Sequence, residues 1–158
     1  MKIFPISLIA AVSVICISSC SNNKEKESTV CMHIYNPPVL NFQVISQTNN
    51  DDFFFSSPPL YSASSDIKVY FRNDLNKLDS ITPPVIINDS KKHFSFSTSS
   101  SKASDTCYVK IKNLKVDTLI YAVTIPDEFC PQPYISKIMI NKAPSVNTTS
   151  TTVIQIKK

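Results

Sequence analysis

The sequence predicts an all-β domain, and three observations support this prediction. Apolar and polar residues alternate with a period of two in several segments, among them 67–72, 94–97 and 109–112. No segment of useful length repeats apolar residues at helical spacing, and the 11 prolines fall mostly between the alternating segments, where a missing N–H does no harm. We therefore expect half-buried strands packed as a sandwich of two sheets, with a closed barrel as the alternative.

Turn residues separate the candidate strands at intervals of roughly 8–12 residues, a spacing typical of β-sandwiches. The most distinct pair is a hairpin of 106–113 and 117–126, whose arms carry matching apolar sets around the connection Leu114-Lys115-Val116. The pattern predicts a single immunoglobulin-like or transthyretin-like sandwich of about seven to nine antiparallel strands. The candidate strands are 30–35, 39–46, 53–55, 66–73, 84–88, 93–99, 106–113, 117–126, 134–141 and 152–157.

The first 20 residues, MKIFPISLIAAVSVICISSC, have a positive start and an apolar run that ends in Ile17-Ser18-Ser19-Cys20. The run is about 15 residues long, shorter than the ~20 residues of a membrane-spanning helix. Its ending resembles the lipobox of bacterial lipoproteins. The resemblance implies cleavage before Cys20 and attachment of a diacylglycerol, and usually an acyl chain such as palmitate, to Cys20. An uncleaved anchor helix is the alternative.

The chain then divides into three predicted parts. Residues 1–19 are a signal peptide, residues 20–29 are the lipidated Cys and a flexible tether, and residues 30–158 form the β-sandwich domain. The tether sequence SNNKEKEST is polar and has no hydrophobic face. Nine flexible residues span roughly 15–18 Å, enough to hold the domain off a membrane surface.

A short module follows the tether: an apolar strand around Phe42, the segment Asp52-Phe53-Phe54-Phe55, and a second strand at 66–71. Together with the lipobox, this module resembles the small uncharacterised lipoproteins of Bacteroidota. The resemblance implies an outer-membrane location, because Ser21 rather than Asp follows the acylated Cys; the periplasmic and the surface side both stay open. It also implies that Asp-Ser/Thr-apolar triplets carry O-glycans, which makes Ser80 and Thr118 candidate sites.

Composition narrows the function classes. The chain contains no glycine, so phosphate-cradling loops, dinucleotide-binding turns and the glycine-flanked nucleophile elbow are absent in recognisable form. Without residues 1–19 it has 15 basic and 12 acidic residues, a net charge of +3, which is too mild and too scattered to indicate nucleic acid. No cofactor and no nucleic-acid partner are expected.

Three cysteines, Cys31, Cys107 and Cys130, remain in the mature chain. An exported protein can form disulfides, and the odd number leaves at least one thiol free. Cys107 shares the phase of Val109 and Ile111, so we expect it to be a buried free thiol. Cys31 and Cys130 are then the predicted disulfide pair. A metal site is the alternative, although no Cys-x-x-Cys spacing is present.

The aromatic cluster Phe53, Phe54, Phe55 and Tyr61 is a candidate contact patch. Successive side chains of a strand point to opposite faces, so three consecutive phenylalanines cannot all enter one core. Two interpretations follow. Either a long loop folds over and covers the cluster, or part of it is exposed and contacts a partner.

Signals for catalysis are few. The adjacent acids Asp51-Asp52 and Asp127-Glu128 could serve hydrolysis, but adjacent acids in loops are usually solvated. His93 sits at the mouth of a strand and is interpreted as an exposed turn residue. We therefore expect a membrane-anchored, non-enzymatic lipoprotein that binds an envelope protein or a surface ligand. The alternative is a structural or accessory subunit of an outer-membrane uptake or secretion assembly, and a hydrolytic enzyme is the residual possibility.

The lipid anchor is directly testable. Cys20→Ala should leave the precursor unprocessed and abolish its labelling by a fatty-acid analogue, because the thiol that receives the lipid is gone. Metabolic labelling and gel mobility measure both effects. Labelling that persists in the variant would contradict the lipobox interpretation.

Overall fold

Ten β-strands in two sheets make up the described part of the chain, which confirms the all-β prediction. The computed structural model describes residues 36–73, 75–98, 102–127 and 130–158. These residues belong to one unit, Cys31–Lys158. The predicted signal peptide, the tether and the candidate strand 30–35 lie outside the described residues. The strands are β1 Val39–Ile45, β2 Ile67–Arg72, β3 Leu78–Ile81, β4 Val85–Asn88, β5 Lys91–Ser97, β6 Ser104–Ile111, β7 Asp117–Thr124, β8 Tyr134–Ile140, β9 Val146–Asn147 and β10 Val153–Lys157.

The two sheets differ in size and in strand direction. The smaller sheet has the order β10-β1-β5-β4, and the larger has the order β3-β2-β6-β7-β8-β9. All pairs are antiparallel except β1 with β10, which is parallel, so the expectation of antiparallel pairing throughout was wrong. A hairpin forces two strands to run in opposite directions, and no hairpin links the first strand to the last.

One hydrophobic core is shared by both sheets. Phe96 of the smaller sheet meets Phe71 of the larger sheet with ring centroids 5.1 Å apart. Within the smaller sheet, Phe42 stands opposite Phe94 at 5.4 Å. Alternate residues of β1, β2, β6 and β7 enter this core, as the period of two predicts. In β8 the buried residues Ile135 and Ile138 are three positions apart, opposite an irregularity in the β7–β8 register. The buried core residues include Leu40, Phe42, Val44, Phe54, Ile67, Val69, Phe94, Phe96, Cys107, Val109, Ile111, Leu119, Tyr121, Ile135, Ile138, Ile154 and Ile156.

The β6–β7 hairpin has the pairing that the sequence predicts. Cys107 stands opposite Leu119, and both are fully buried. The Leu114 N–H donates to the carbonyl of Ile111 and tightens the connection. The second arm ends earlier than predicted, at Thr124, so Ile125 lies beyond the strand and is exposed.

Two short edge strands, β3 and β9, were not predicted from the sequence. β3 pairs with β2 although all four of its residues are exposed, and β9 has only two residues. An edge strand without a buried face need not show apolar–polar alternation. The edge strand β4 is exposed as well, yet its apolar run was predicted as the strand 84–88.

Turns in this glycine-free chain use other residues in the left-handed region. Asp89 and Ser90 both have positive φ, 48° and 65°, in the two-residue turn between β4 and β5. Positive φ at both central positions is typical of a type I′ hairpin, where Asn or Asp followed by Gly is preferred. Asn50, Asn76 and Asn141 also have positive φ. Asn and Asp adopt positive φ more readily than other residues with a β-carbon, so they can take the place of glycine in these turns.

The aromatic cluster packs against the core, as in the first of the two interpretations, in which a loop folds over it; the structure does not show the cluster as an exposed contact patch. The candidate strand 53–55 is a turn, because Asp52 Oδ1 accepts hydrogen bonds from the N–H groups of Phe54 and Phe55 at 2.8 and 2.9 Å. Phe54 is 5% exposed and meets Phe94 edge-on at 5.0 Å. Phe53, Phe55 and Tyr61 are half-buried and pack against the core. The loop that contains these four aromatic residues therefore covers part of the hydrophobic core.

Truncating the central ring tests this packing. Phe54→Ala should lower the free energy of unfolding by about 3–5 kcal/mol, because it removes a buried aromatic side chain and leaves a cavity. Leu60→Ala is the matched control in the same loop, since Leu60 is exposed, and it should change stability by less than about 0.5 kcal/mol. Chemical denaturation measures both. Equal effects would mean that the ring does not anchor the loop.

The described cysteines have different states. Cys107 is fully buried and its thiol is free. Burial, with a smaller contribution from the Asp105 carboxylate, raises the pKa of this thiol to about 12. Cys130 is disulfide-bonded. Its predicted partner, Cys31, lies outside the described residues, so the Cys31–Cys130 pairing stays a prediction.

Alkylation distinguishes these thiols. At pH 8 the folded chain should leave Cys107 unmodified, because the thiol is both shielded and protonated, and only the thiolate is nucleophilic. Denaturant without reductant should make this one thiol react, and peptide mapping should identify it. Reaction of Cys107 in the folded chain would show that the inner face of β6 is open to solvent.

Candidate ligand-binding face

The outer face of the larger sheet carries a compact set of lysines and tyrosines. Val69 of β2 and Val109 of β6 are buried in the core, so the residues on either side of each valine point outward. The antiparallel register then places Tyr70 directly opposite Tyr108, and Lys68 directly opposite Lys110. We call these four residues the lysine–tyrosine face.

This face is positively charged. Directly opposed like charges destabilise an antiparallel pair, so the Lys68–Lys110 pair is unfavourable for the sheet itself. Lys68 Nζ donates to Thr82 Oγ1 at 2.8 Å, a neutral partner. Arg72 and Lys137 extend the positive charge to either side. Among the described residues, no Asp or Glu of the six strands has a register position on this face.

A shallow depression adjoins the lysine–tyrosine face. Ile120 of β7 stands opposite Met139 of β8, and together with Ala122 they form an apolar floor. Lys137 and Ser104 are polar groups among its lining residues. The depression encloses about 200 Å³, which suits one ring-sized group. The sheet therefore offers aromatic faces, cations and an apolar recess side by side.

The two predicted O-glycosylation residues lie in the same row as the tyrosines. Ser80 of β3 stands opposite Tyr70, and Thr118 of β7 stands opposite Tyr108. Ser80 is exposed and Thr118 is half-buried. A glycan on either residue would cover the tyrosine pair. Glycosylation of both residues stays a prediction.

His93 is not the exposed turn residue that the sequence suggested. It lies within β5, is 6% exposed, and faces away from the core that Phe94 enters. Ile86 stands opposite it on the neighbouring strand, and Asn41 and Ser95 border the same depression of about 360 Å³. Strands β1 and β4 lie on either side of β5, and their residues Asn41 and Ile86 border the same depression as the imidazole. The described residues that line this depression include no carboxylate.

The acid pair Asp51-Asp52 organises its loop. Asp52 accepts the two backbone hydrogen bonds that make the aromatic turn, and Asp51 Oδ2 accepts a hydrogen bond from Asn49 Nδ2 at 2.5 Å. Of the second pair, Asp127 is exposed and Glu128 lies outside the described residues. The structure therefore brings neither acid pair together with His93 within the described ranges.

Sequence reasoning missed the lysine–tyrosine face because it treated polar residues of alternating strands as ordinary solvated positions. A signal was present. Lys68-Val69-Tyr70 and Tyr108-Val109-Lys110 are mirror images of each other. Antiparallel pairing places such mirrored triplets side by side with like residues opposed, so the pattern could have predicted the cluster once the two strands were paired.

Comparison with known proteins identifies no relative of this chain. The chain matches no known protein-family model, no curated protein and no solved structure. Within the described ranges there is no group of three or more His, Cys, Asp and Glu side chains placed to hold a metal ion. Those same ranges contain no helix with the length and hydropathy needed to cross a membrane.

Proposed function

We propose that this protein is a lipid-anchored, non-enzymatic binding protein of the bacterial outer membrane, and that its lysine–tyrosine face binds an anionic polysaccharide. The observation that supports this proposal best is the direct opposition of Lys68 to Lys110 beside Tyr70 opposite Tyr108. Two like charges held together without a described acidic neighbour favour an anionic ligand that neutralises both.

The chemistry of the face fits an acidic sugar polymer. Ammonium groups pair with carboxylate, sulfate or phosphate groups, and tyrosine rings offer flat apolar surfaces for sugar rings. The face lies on a sheet rather than in a closed cavity, so an extended chain could lie across several strands. The adjoining recess beside Lys137 could take one substituent of that chain.

The predicted anchor gives this binding a location. Lipidation at Cys20 and the tether 20–29 would hold the domain near the outer membrane, on the periplasmic or the surface side. A tethered binder keeps its ligand at a high local concentration near the membrane. We further propose that the two-sheet fold is a variant of the immunoglobulin-like or transthyretin-like sandwich, which the shared core and the four- and six-stranded sheets support.

A second candidate function is that of an accessory subunit in an uptake or secretion assembly, and a different surface favours it. β3 is an edge strand of the larger sheet, β4 is an edge strand of the smaller sheet, and the two follow each other along the chain. Unpaired edges with exposed apolar residues are typical of protein contacts. We call this surface the apolar side. Its exposed residues are Leu75, Leu78, Ile81, Val85, Ile86 and Ile87.

Binding measurements test the first function. The full chain, solubilised in detergent and immobilised, should bind polygalacturonate or dextran sulfate and should not bind uncharged dextran. Affinity should fall as salt concentration rises, because the Debye length shortens from about 10 Å at 0.1 M to about 3 Å at 1 M. Lys68→Ala combined with Lys110→Ala should weaken binding about tenfold, or ~1.4 kcal/mol.

The control removes the same charge from the other sheet. Lys91→Ala combined with Lys92→Ala changes two exposed lysines of β5 and should leave affinity within about twofold, a difference below ~0.5 kcal/mol. Equal loss in both double variants would show a general charge effect. That result, or equal binding of uncharged dextran, would overturn the proposed ligand class.

A further inference from the structure

A buried ion pair links the two sheets. Lys158 Nζ lies 2.6 Å from Asp117 Oδ2, and the side chains of Lys158 and Asp117 are only 11% and 3% exposed. The backbone N–H of Lys158 donates to the carbonyl of Ile45, the final residue of β1 in the smaller sheet. Asp117 is the first residue of β7 in the larger sheet. The pair therefore joins elements that no strand pairing connects.

The same carboxylate also holds an amide. Asn141 Nδ2 donates to Asp117 Oδ1 at 2.7 Å, so one carboxylate contacts both an amine nitrogen and an amide nitrogen. The amide carbonyl is held as well, because the Thr118 N–H donates to Asn141 Oδ1 at 2.9 Å. In return, the Asn141 N–H donates to the Thr118 carbonyl at 2.9 Å, which fixes the asparagine against the start of β7.

We propose that this cluster is a self-modification site, in which Lys158 and Asn141 form an intramolecular amide bond with Asp117 as the proton carrier. The four groups have the chemistry that the reaction needs. Lys158 supplies the nucleophile, Asn141 the carbonyl carbon, Thr118 a backbone donor for the developing oxyanion, and Asp117 an acceptor and donor of protons.

The reaction balances without any other reagent. Asp117 Oδ2 takes one proton from the Lys158 ammonium, and the neutral Nζ attacks Cγ of Asn141. Negative charge develops on Oδ1, where the Thr118 N–H stabilises it. Asp117 returns its proton to Nδ2, the Cγ–Nδ2 bond breaks, and the departing ammonia takes one of the two protons on Nζ and leaves as ammonium. One ammonium and one carboxamide become one secondary amide and one ammonium ion.

Burial and exposure are divided between the two residues. Asp117 Oδ2 has almost no solvent contact, so the proton exchange between Asp117 and Lys158 takes place away from bulk water. Asn141 is exposed, which gives the departing ammonia a route to solvent. Folding holds the lysine amine and the asparagine amide on the two oxygens of one carboxylate, so part of the entropy of bringing the two groups together is lost before the reaction begins.

Mass spectrometry of the full chain, isolated from the expressing cells, tests the proposal. Trypsin cuts after Lys137, Lys142 and Lys157, so the modified chain should yield the peptide 138–142 joined through Asn141 to the peptide that begins at Lys158. This branched peptide should be lighter than its two parts together by the mass of one ammonia. Most of the wild-type chain should be in this form.

Two variants separate the covalent bond from the ion pair. Lys158→Arg keeps a cation beside Asp117 but lacks the amine nucleophile, and Asp117→Ala removes the proton carrier; neither should yield the branched peptide. An unmodified 138–142 peptide from the folded wild-type chain would overturn the proposal and leave only an ion pair. A wild-type peptide heavier by one mass unit would show hydrolysis of Asn141 instead, which also overturns it.

Discussion

The alternation of β6 is the constraint on which the rest of the structure depends. This strand lies between β2 and β7 in the larger sheet, and its inward residues Cys107, Val109 and Ile111 are fully buried. Their burial leaves Tyr108 and Lys110 on the outer face. A register shift of one residue would exchange the two sets, so the apolar core also determines which side chains form the proposed ligand surface. The alternation of buried and exposed residues in β6 therefore determines both the core and the proposed binding face.

Most parts of the fold that follow from the sequence are those in which one strand face is buried. β1, β2, β5, β6, β7, β8 and β10 all appear near their predicted positions. β4 also appears where it was predicted, from its apolar run, although all its residues are exposed. β3 and β9 have no buried residue and leave no periodic signal. The segment 53–55 has strand-like composition, but the Asp52 side chain offers hydrogen bonds that favour a turn. A side chain that competes for backbone N–H groups is hard to recognise before the loop is seen.

The candidate site could not be predicted without knowing that β2 pairs with β6, which the sequence alone does not show. Lys68 and Lys110 are 42 positions apart in the numbering, and each looks like a solvated residue on its own. His93 illustrates the opposite case: a polar residue at the start of a predicted strand is buried, because the strand begins earlier, at Lys91, and side chains of the flanking strands surround the imidazole. Both outcomes depend on neighbours across the sheet. Periodicity within one segment describes only the direction of a side chain.

The glycine-free turns have a consequence for the unfolded chain. Glycine loses more conformational freedom on folding than any other residue, so a chain without it starts from a narrower unfolded ensemble. The opposing contribution is local: residues such as Ser90 and Lys142 adopt positive φ with a β-carbon present, at roughly 1 kcal/mol or more each. The absence of glycine therefore lowers the entropy that the chain loses on folding, and it adds backbone strain at a few turn residues of the folded domain.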